Sequence, residues 1–302
     1  MRYYSLNDYC KKTFGEKVYK LSLNGGMTCP NRDGSLSYTG CFYCSEGGSG
    51  DFASDSSLPI AAQLSEARRR LSSKTDCRKF IAYFQAFTNT YAPVEYLEKI
   101  FYEAISDPSV CVLSIGTRTD CFNDEIYDLL SRLNNIKPVW IELGLQSIHQ
   151  STLDAMNTHT KVSDFTVVCN ELNKRSIKVI AHLILGLPGE TKEMMLESVD
   201  FAAKSNIFGI KLQLLHVLRN TKLAELYEKD PFPLFSLEEY CDFIVDCIER
   251  LPPGMVIHRM TGDGPRKLLI APMWSTDKKR VLNTINQNLI KRNTYQDRKS
   301  VV

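Results

Sequence analysis

Short apolar runs alternate along this chain with stretches of helical periodicity. The predicted strands are Val18–Leu23, Lys79–Phe84, Val110–Ile115, Val139–Leu143, Ile177–Leu185 and Gly209–Leu215. The predicted helices are Ile60–Leu71, Val94–Ser106, Asp124–Leu133, Val162–Arg175, Lys192–Ser205 and Leu237–Leu251. This order favours parallel strands joined by right-handed crossovers, either in an open doubly wound sheet or in a partial or complete barrel.

The repeat loosens after Leu215. Pro231-Phe232-Pro233, a helix and a segment rich in Gly and Pro from Pro252 to Pro272 follow it. We interpret them as an appended C-terminal region rather than a separate domain, because a chain of 302 residues can form one α/β barrel with a large core.

Composition and charge indicate a cytoplasmic protein without a membrane partner. The net charge is +2, so no global field demands a nucleic acid. No apolar signal follows Met1, and the longest apolar run, Val179 to Pro188, is too short to span a bilayer. In a reducing compartment we expect the ten cysteines to be free thiols or metal ligands. The sequence does not indicate an oligomeric state.

Three cysteines follow the first predicted strand, in the run Cys29-Pro30-Asn31-Arg32-Asp33-Gly34 and in Cys41-Phe42-Tyr43-Cys44. The two-residue spacing of Cys41 and Cys44 lets both thiolates face one metal centre, and glycines permit Cys29 to fold back. Three ligands leave one coordination position for a reacting ligand, whereas structural zinc and electron-transfer clusters usually take four. The alternatives are unrelated thiols, or a zinc loop with a distant fourth ligand.

Polar segments follow the next four predicted strands. In parallel α/β folds these positions face one crevice, where ligands bind. Each segment also has a structural interpretation: a simple turn, an Arg118–Asp120 pair, a helix N-cap at Ser147, and a tight turn with Thr191 as a cap. The segments are Gln85–Thr90, Gly116–Asp120, Glu142–Ser147 and Gly186–Thr191.

With these motifs in order, the chain resembles the radical S-adenosylmethionine (SAM) superfamily, in its elongator-like branch, over nearly all of residues 15–290. The cysteine spacing resembles that of one bacterial subfamily. Further matching segments are Gln85–Tyr91, Gly144–Ser147, His182–Glu190 and His258–Pro265. The chain departs from the family in having Gln85 in the place of the usual Gly-Gly-Glu segment and Thr119 where relatives have proline.

The resemblance implies an α/β fold, a partial (β/α)6 TIM-like barrel with a C-terminal α-rich extension. Its expected parts are an N-terminal extension (1–16), the barrel (17–217) and an extension that covers the barrel and contacts substrate (218–302). It also implies a [4Fe-4S] cluster on Cys29, Cys41 and Cys44. The expected SAM-binding residues are Gln85, Thr117, Arg118, Gln146, Ser147, Gly186 and Leu187.

The implied reaction is reductive cleavage of SAM to a 5′-deoxyadenosyl radical, with a flavodoxin- or ferredoxin-type electron donor. The elongator-like branch suggests tRNA as the partner and the C5 side chain of a wobble uridine as the substrate. We expect His258, Arg259 and Asp263 to contact substrate. The alternatives are a radical SAM enzyme with a non-RNA substrate, a three-thiolate zinc hydrolase or deaminase, and a non-catalytic RNA-binding module.

Two basic clusters give modest support for RNA binding. Such clusters can neutralise phosphates, although solvated helix faces carry similar charge runs. Trp274 and Tyr295 interleave with the second cluster and are candidates for base stacking, with core packing as the alternative for Trp274. The clusters are Arg68, Arg69, Arg70, Lys74, Arg78 and Lys79, and Lys278, Lys279, Arg280, Lys291, Arg292, Arg298 and Lys299.

Overall fold

A computed structural model describes residues 2–48, 50–72, 75–262 and 264–300. Its main sheet has seven parallel strands in the order β1-β2-β3-β4-β5-β6-β8, and β7 pairs with β9 in a separate antiparallel ribbon. The strands are Tyr19–Leu23 (β1), Phe80–Phe84 (β2), Val110–Thr117 (β3), Val139–Gln146 (β4), Lys178–Leu185 (β5), Gly209–Leu214 (β6), Val217–Leu218 (β7), Val256–Arg259 (β8) and Leu269–Ala271 (β9).

Helices connect successive strands of the sheet and cover its outer face. The helices are Leu6–Phe14 (α1), Ile60–Ser72 (α2), Val94–Ser106 (α3), Asp124–Asn134 (α4), Gln150–Ala155 (α5), Val162–Lys174 (α6), Lys192–Lys204 (α7), Lys222–Lys229 (α8), Leu237–Arg250 (α9) and Lys278–Lys291 (α10), with a 3₁₀ turn at Met273–Thr276. Local sequence starts several of them: Asn123 and Thr191 accept capping hydrogen bonds, and Ser236 forms a capping box with Glu239.

The sheet is strongly curled. The Lys211 ammonium on β6 lies 3.2 Å from the Tyr83 hydroxyl on β2, although four strand spacings would separate these strands by about 19 Å in a flat sheet. The two edge strands are β1 and β8. The structure is therefore a half-barrel, which confirms the predicted partial TIM-like barrel fold and resolves the choice between an open sheet and a barrel.

The predicted strands and helices are confirmed, with ends that shift by at most three residues. The structure adds a seventh strand to the sheet, β8, which comes from the segment that the sequence analysis assigned to the appended C-terminal region. The β-pattern of Val256–Arg259 is only four residues long and lies between proline- and glycine-rich segments, so periodicity alone did not reveal it.

The barrel interior is layered. An apolar layer at the amino ends of the strands includes Ile81, Trp140 and Ile180, and Cys10 of α1 packs against it. The N-terminal segment thus closes one end of the barrel, which leaves the carboxyl ends of the strands for ligands. Within the described ranges, no helix combines the length and the apolar content needed to cross a bilayer.

Candidate active site

The cysteine loop begins directly after β1 with a tight turn at Cys29. The backbone carbonyl of Cys29 accepts hydrogen bonds from the amides of Arg32 at 2.8 Å and Asp33 at 3.2 Å. Gly34 follows with a φ of +94°, a conformation that L side chains rarely adopt. The turn reverses the chain and returns it toward Cys41.

Arg32 closes the far end of the loop. Its Nη2 donates to the carbonyls of Ser45 at 2.6 Å and Cys44 at 3.2 Å, and its Nη1 donates to the carbonyl of Glu46 at 3.2 Å. A Cβ at position 40 would lie 2.8 Å from Nε of Arg32. Gly40 is therefore required for the guanidinium to reach these carbonyls.

The loop is anchored to the segment after α5. The side chain of Asn157 donates to the carbonyl of Gly40 at 2.9 Å, and the amide of Phe42 donates to the carbonyl of Met156 at 3.1 Å. Asn31 donates to the carbonyl of Asn157 at 2.6 Å and to Sγ of Cys41 at 3.4 Å. These contacts fix the cysteine pair over the carboxyl ends of the strands.

Hydrogen bonding polarises the Cys41/Cys44 pair. The contact with Cys44, which outweighs burial, lowers the pKa of Cys41 to about 6, with help from Arg118 and Asn31. The same contact, together with burial, raises the pKa of Cys44 well above its usual value. Cys41 is therefore held as the thiolate that soft metals bind. Among the described residues, no three Cys, His, Asp or Glu side chains are grouped tightly enough to hold a single metal ion.

Four of the seven predicted SAM-binding residues line the cavity that contains the cysteines: Gln85, Thr117, Arg118 and Gln146. Arg118 also forms the pair that was its structural alternative, with Nε and Nη2 at 2.8 Å and 2.6 Å from the carboxylate oxygens of Asp120. Arg118 can therefore both pair with Asp120 and contact a ligand. The bidentate contact fixes its guanidinium, and part of this group faces the cavity.

Gln146 occupies a specialised backbone position. It has a φ of +63°, and the pairing register of β4 with β5 shifts between Gly144 and Gln146. A Cβ on Gly144 would lie 2.6 Å from Nε2 of Gln146. The Oε1 atom of Gln146 is buried and has no hydrogen-bond partner among the described residues. A buried amide oxygen without a partner is costly, so this acceptor suits a donor on a bound ligand.

The other three predicted SAM-binding residues lie outside the cavity lining. Ser147 is fully buried and donates to Glu190. It does not cap a helix, so that alternative is wrong: the N-cap of α5 is His149, whose amide donates to Ser147 Oγ at 3.0 Å. Leu187 belongs to an apolar cluster beneath the cysteine loop, and the amide of Gly186 contacts the sulfur of Met195 at 3.0 Å.

A charged layer forms the floor of the cavity, and the sequence motifs predicted no role for it. Its centre is Glu142, whose side chain is fully buried. The Oε1 atom accepts from Ser114 at 2.7 Å and contacts Lys20, while Oε2 contacts Lys211 and lies 2.8 Å from Nε2 of His182. The sequence did carry a signal for this layer, namely ionisable residues at inward-facing positions of otherwise apolar strands.

The charges of the floor are interdependent. Burial opposes the charge on Glu142, but Lys20 and Lys211 outweigh it and hold the pKa of this carboxyl well below its usual range. Burial, with the nearby Lys211 ammonium, lowers the pKa of His182 to about 4. His182 is therefore neutral near pH 7, and its Nε2 carries the proton that the Glu142 carboxylate accepts.

Residues 28–202 match the radical SAM superfamily, and residues 207–291 match the radical SAM C-terminal domain. This chain belongs to the radical SAM superfamily. It is 42% identical over 295 residues to the uncharacterized protein YtqA of Bacillus subtilis, across 98% of this chain and 92% of YtqA. It is 26% identical over 169 residues to the tRNA uridine(34) acetyltransferase of Methanocaldococcus jannaschii, across 53% of this chain and 30% of that protein.

The fold is also that of a solved archaeal protein. The Elp3 protein of Methanocaldococcus infernus, with its N-terminus deleted, superposes with a TM-score of 0.70 at 17% sequence identity. The match covers 92% of this chain and 64% of that chain. At this identity the likeness establishes the shared half-barrel fold.

The protein is thus a radical SAM enzyme, a class that uses a [4Fe-4S] cluster and SAM and requires an electron donor. Membership of the radical SAM superfamily rules out the two alternatives of a zinc hydrolase or deaminase and a non-catalytic RNA-binding module. The donor set fits these cofactors: the loop presents three soft thiols with Cys41 favoured as thiolate, and Gln146 offers an unused acceptor in the same cavity. Each cysteine of an iron–sulfur cubane binds a different iron atom, so the three sulfurs need not converge on one point.

The three residues predicted to contact substrate have different positions. Arg259 lines the cavity. His258 lies in strand β8 rather than in the expected glycine-rich loop, is half-buried against Trp140 and Phe208, and is not part of the cavity lining. Both of its ring nitrogens are buried without hydrogen-bond partners among the described residues. Asp263 lies outside the described residues.

Proposed function

We propose that this radical SAM enzyme modifies tRNA at the C5 side chain of a wobble uridine. The observation that carries the proposal is a single cavity that joins the cysteine loop, four candidate SAM-binding side chains and a charged floor. The reacting group of a large substrate can enter such a cavity while the rest of the molecule stays outside. The similarity to a tRNA uridine(34) acetyltransferase supports the choice of substrate.

In this proposal Cys29, Cys41 and Cys44 hold the [4Fe-4S] cluster. Gln85 and Gln146 offer amide oxygens to donors on SAM, and Arg118 offers a guanidinium to its carboxylate. When bound, the two cofactors supply one-electron chemistry at the 5′-carbon of SAM. The chain orients SAM against the substrate and excludes water and thiols, and the apolar layer closed by α1 seals the opposite end of the barrel.

The two basic clusters predicted from the sequence give little support for RNA binding. Arg68 pairs with Asp107 at 2.5 Å, Arg70 with Glu66 at 2.9 Å, and Arg292 with Asp246 at 2.6 Å. Lys74 lies outside the described residues. Trp274 packs against Tyr240 and donates its indole N–H to a carbonyl at 3.0 Å, so its core-packing alternative is confirmed.

A second opening gives stronger support for an anionic partner. It lies beside the edge strands β1 and β8, and its cationic lining residues are Lys20, Arg259, Arg266 and Lys278. Among the described residues that line it there is no Asp or Glu. Cationic side chains gathered at an opening attract the phosphates of RNA. The electron donor that the reaction requires is, in this proposal, of the flavodoxin or ferredoxin type.

The proposal is tested by comparing modified nucleosides from the tRNA of cells with and without the gene. We expect one wobble-uridine nucleoside to disappear and a precursor to accumulate. An unchanged profile overturns the tRNA assignment and favours a non-RNA substrate.

The cofactor assignment is tested on purified protein reconstituted anaerobically with iron and sulfide. We expect reduced protein to convert SAM into 5′-deoxyadenosine, and Cys41→Ala to lose both this reaction and most of its iron. Cys169→Ala is the matched control, because Cys169 is a buried thiol within α6. Full iron content and full SAM cleavage in Cys41→Ala would contradict the assignment.

A further inference from the structure

Two lysine ammonium groups share one carboxylate at the cavity floor. Both contact Glu142, and both lie over the ring of Tyr83, with Lys20 at 4.4 Å and Lys211 at 4.7 Å from its centroid. The side chain of Lys211 is 4% exposed and that of Glu142 is fully buried. His182 adds no negative charge. Two lysines therefore share one carboxylate inside a low-dielectric barrel. Burial, together with the charges of Lys20 and Arg259, lowers the pKa of Lys211 well below its usual value, so a second anion at this place would favour its ammonium form.

This arrangement is costly for folding. Burying an ammonium group costs several kcal/mol unless a partner compensates it, and apolar residues usually serve stability as well or better. The next layer of the same barrel shows that alternative, because Ile81, Trp140 and Ile180 fill it without charge. The second ammonium therefore calls for an explanation other than packing.

The floor is accessible to an anion from two directions. Lys211 and Glu142 line the main cavity below the cysteines, and Lys20 lines the cationic opening beside β1 and β8. Tyr83 and Arg259 line both spaces, so the two openings meet at the floor. An incoming anion would meet cationic residues along this route before it reaches the two ammonium groups.

We propose that Lys20 and Lys211 form a binding site for an anionic oxygen group, a carboxylate or a phosphate, on the substrate side chain that enters the cavity. A second anion balances the excess ammonium charge, and each lysine has further N–H donors beyond its contact with Glu142. Glu142 holds the two lysines together and is a positioning residue. The inference rests on the proposed function in taking the cavity as the substrate site.

The site is tested first without RNA, on reconstituted protein in its oxidised state. The midpoint temperature of unfolding is measured against acetate, inorganic phosphate and neutral acetamide, with chloride holding the ionic strength constant. We expect saturable stabilisation by acetate or phosphate and none by acetamide. The stronger of the two anions identifies the group as a carboxylate or a phosphate.

Lys211→Met and Lys20→Met should each raise the dissociation constant of that anion about tenfold, which corresponds to the loss of one charge-assisted hydrogen bond. Two variants are used because Lys211 is the more buried and its replacement is the more disturbing to the fold. Lys178→Met is the matched control: its ammonium lies over Tyr9 in the closed end of the barrel. Equal responses in the unaltered protein and both floor variants, or equal responses to acetate and acetamide, overturn the proposal.

A second experiment separates this inference from the proposed function. An anticodon stem-loop RNA carries at its wobble position either 5-carboxymethyluridine or the neutral 5-carbamoylmethyluridine. Where acetate is the preferred anion, we expect tighter binding of the charged RNA, and Lys211→Met should abolish the preference. Binding of both RNAs with equal affinity would overturn the anion site and support the tRNA assignment. Binding of acetate without binding of either RNA would support the anion site and overturn the tRNA assignment.

Discussion

Asn31 donates its side-chain amide to Sγ of Cys41 at a distance of 3.4 Å. Asn31 is fully buried, and the same amide nitrogen also donates to the carbonyl of Asn157 at 2.6 Å. One residue within the cysteine motif therefore links a cluster ligand to the segment that anchors the loop. Hydrogen bonds to cluster sulfurs are one of the means by which a protein sets a reduction potential.

Replacing Asn31 with alanine should make the reduction potential of the cluster more negative, because the N–H donor stabilises the more negatively charged reduced state. The measurement is a redox titration followed by electron paramagnetic resonance. Asn31→Ser, which keeps a small donor, should restore part of the shift. An unchanged potential in Asn31→Ala, with full iron content, would show that the contact has no electrostatic role.

Gly144→Ala should weaken SAM binding while the protein stays folded. The added Cβ would lie 2.6 Å from Nε2 of Gln146, so this side chain must leave its position in the cavity wall. We expect the dissociation constant of SAM to rise by about tenfold, the equivalent of one lost hydrogen bond, in equilibrium dialysis. The control is Gly254→Ala, since nothing lies within 4 Å of a Cβ at that position. Unchanged affinity in Gly144→Ala would remove Gln146 from the SAM site.

Glu142→Gln should strongly destabilise the fold. The substitution leaves Lys20 and Lys211 close together without their shared counter-charge, and breaking a buried ion pair in this way costs about 3–5 kcal/mol. The free energy of unfolding is measured by urea denaturation. Glu171→Gln, which disrupts only surface pairs with Lys174 and Arg175, should stay within about 1 kcal/mol of the unaltered protein. Equal effects of the two substitutions on the free energy of unfolding would contradict the role of Glu142 as the shared counter-charge of Lys20 and Lys211.

The stability of the protein should fall as the pH drops from 6.5 toward 4. The pKa of His182 is lowered from 6.5 to about 4, so in this range the unfolded chain binds a proton that the folded chain does not. The loss from His182 amounts to about 3 kcal/mol. Glu142, whose carboxyl pKa is also depressed, adds to the loss at lower pH.

The measurement is urea denaturation at a series of pH values, with His182→Gln for comparison. Glutamine can keep a hydrogen bond to Glu142 but does not titrate, so its unfolding free energy should vary less between pH 6.5 and 4. An identical slope for both proteins would show that other groups control the pH dependence.

The sequence determined the architecture of the sheet up to its last strand. Hydrophobic periodicity located six strands and six helices, because apolar spacing directly reflects which face of an element is buried. It likewise placed Cys29, Cys41 and Cys44 in a loop after β1, since glycines and close cysteine spacing are local features. Four of the seven candidate SAM-binding residues line one cavity, because the ends of parallel strands share one rim: Gln85, Thr117, Arg118 and Gln146.

Only the tertiary structure decided which of these residues face the cavity and what lies beneath them. The structure places Ser147, Gly186 and Leu187 outside the cavity lining and adds β8 at an edge of the sheet. It also gathered Lys20, Glu142 and Lys211, which lie on three different strands and up to 191 residues apart (211 − 20), into one charged layer. The physical reason is that strand pattern reports whether a side chain points inward, whereas the partner it meets across the barrel depends on curvature and register, to which residues distant in sequence contribute.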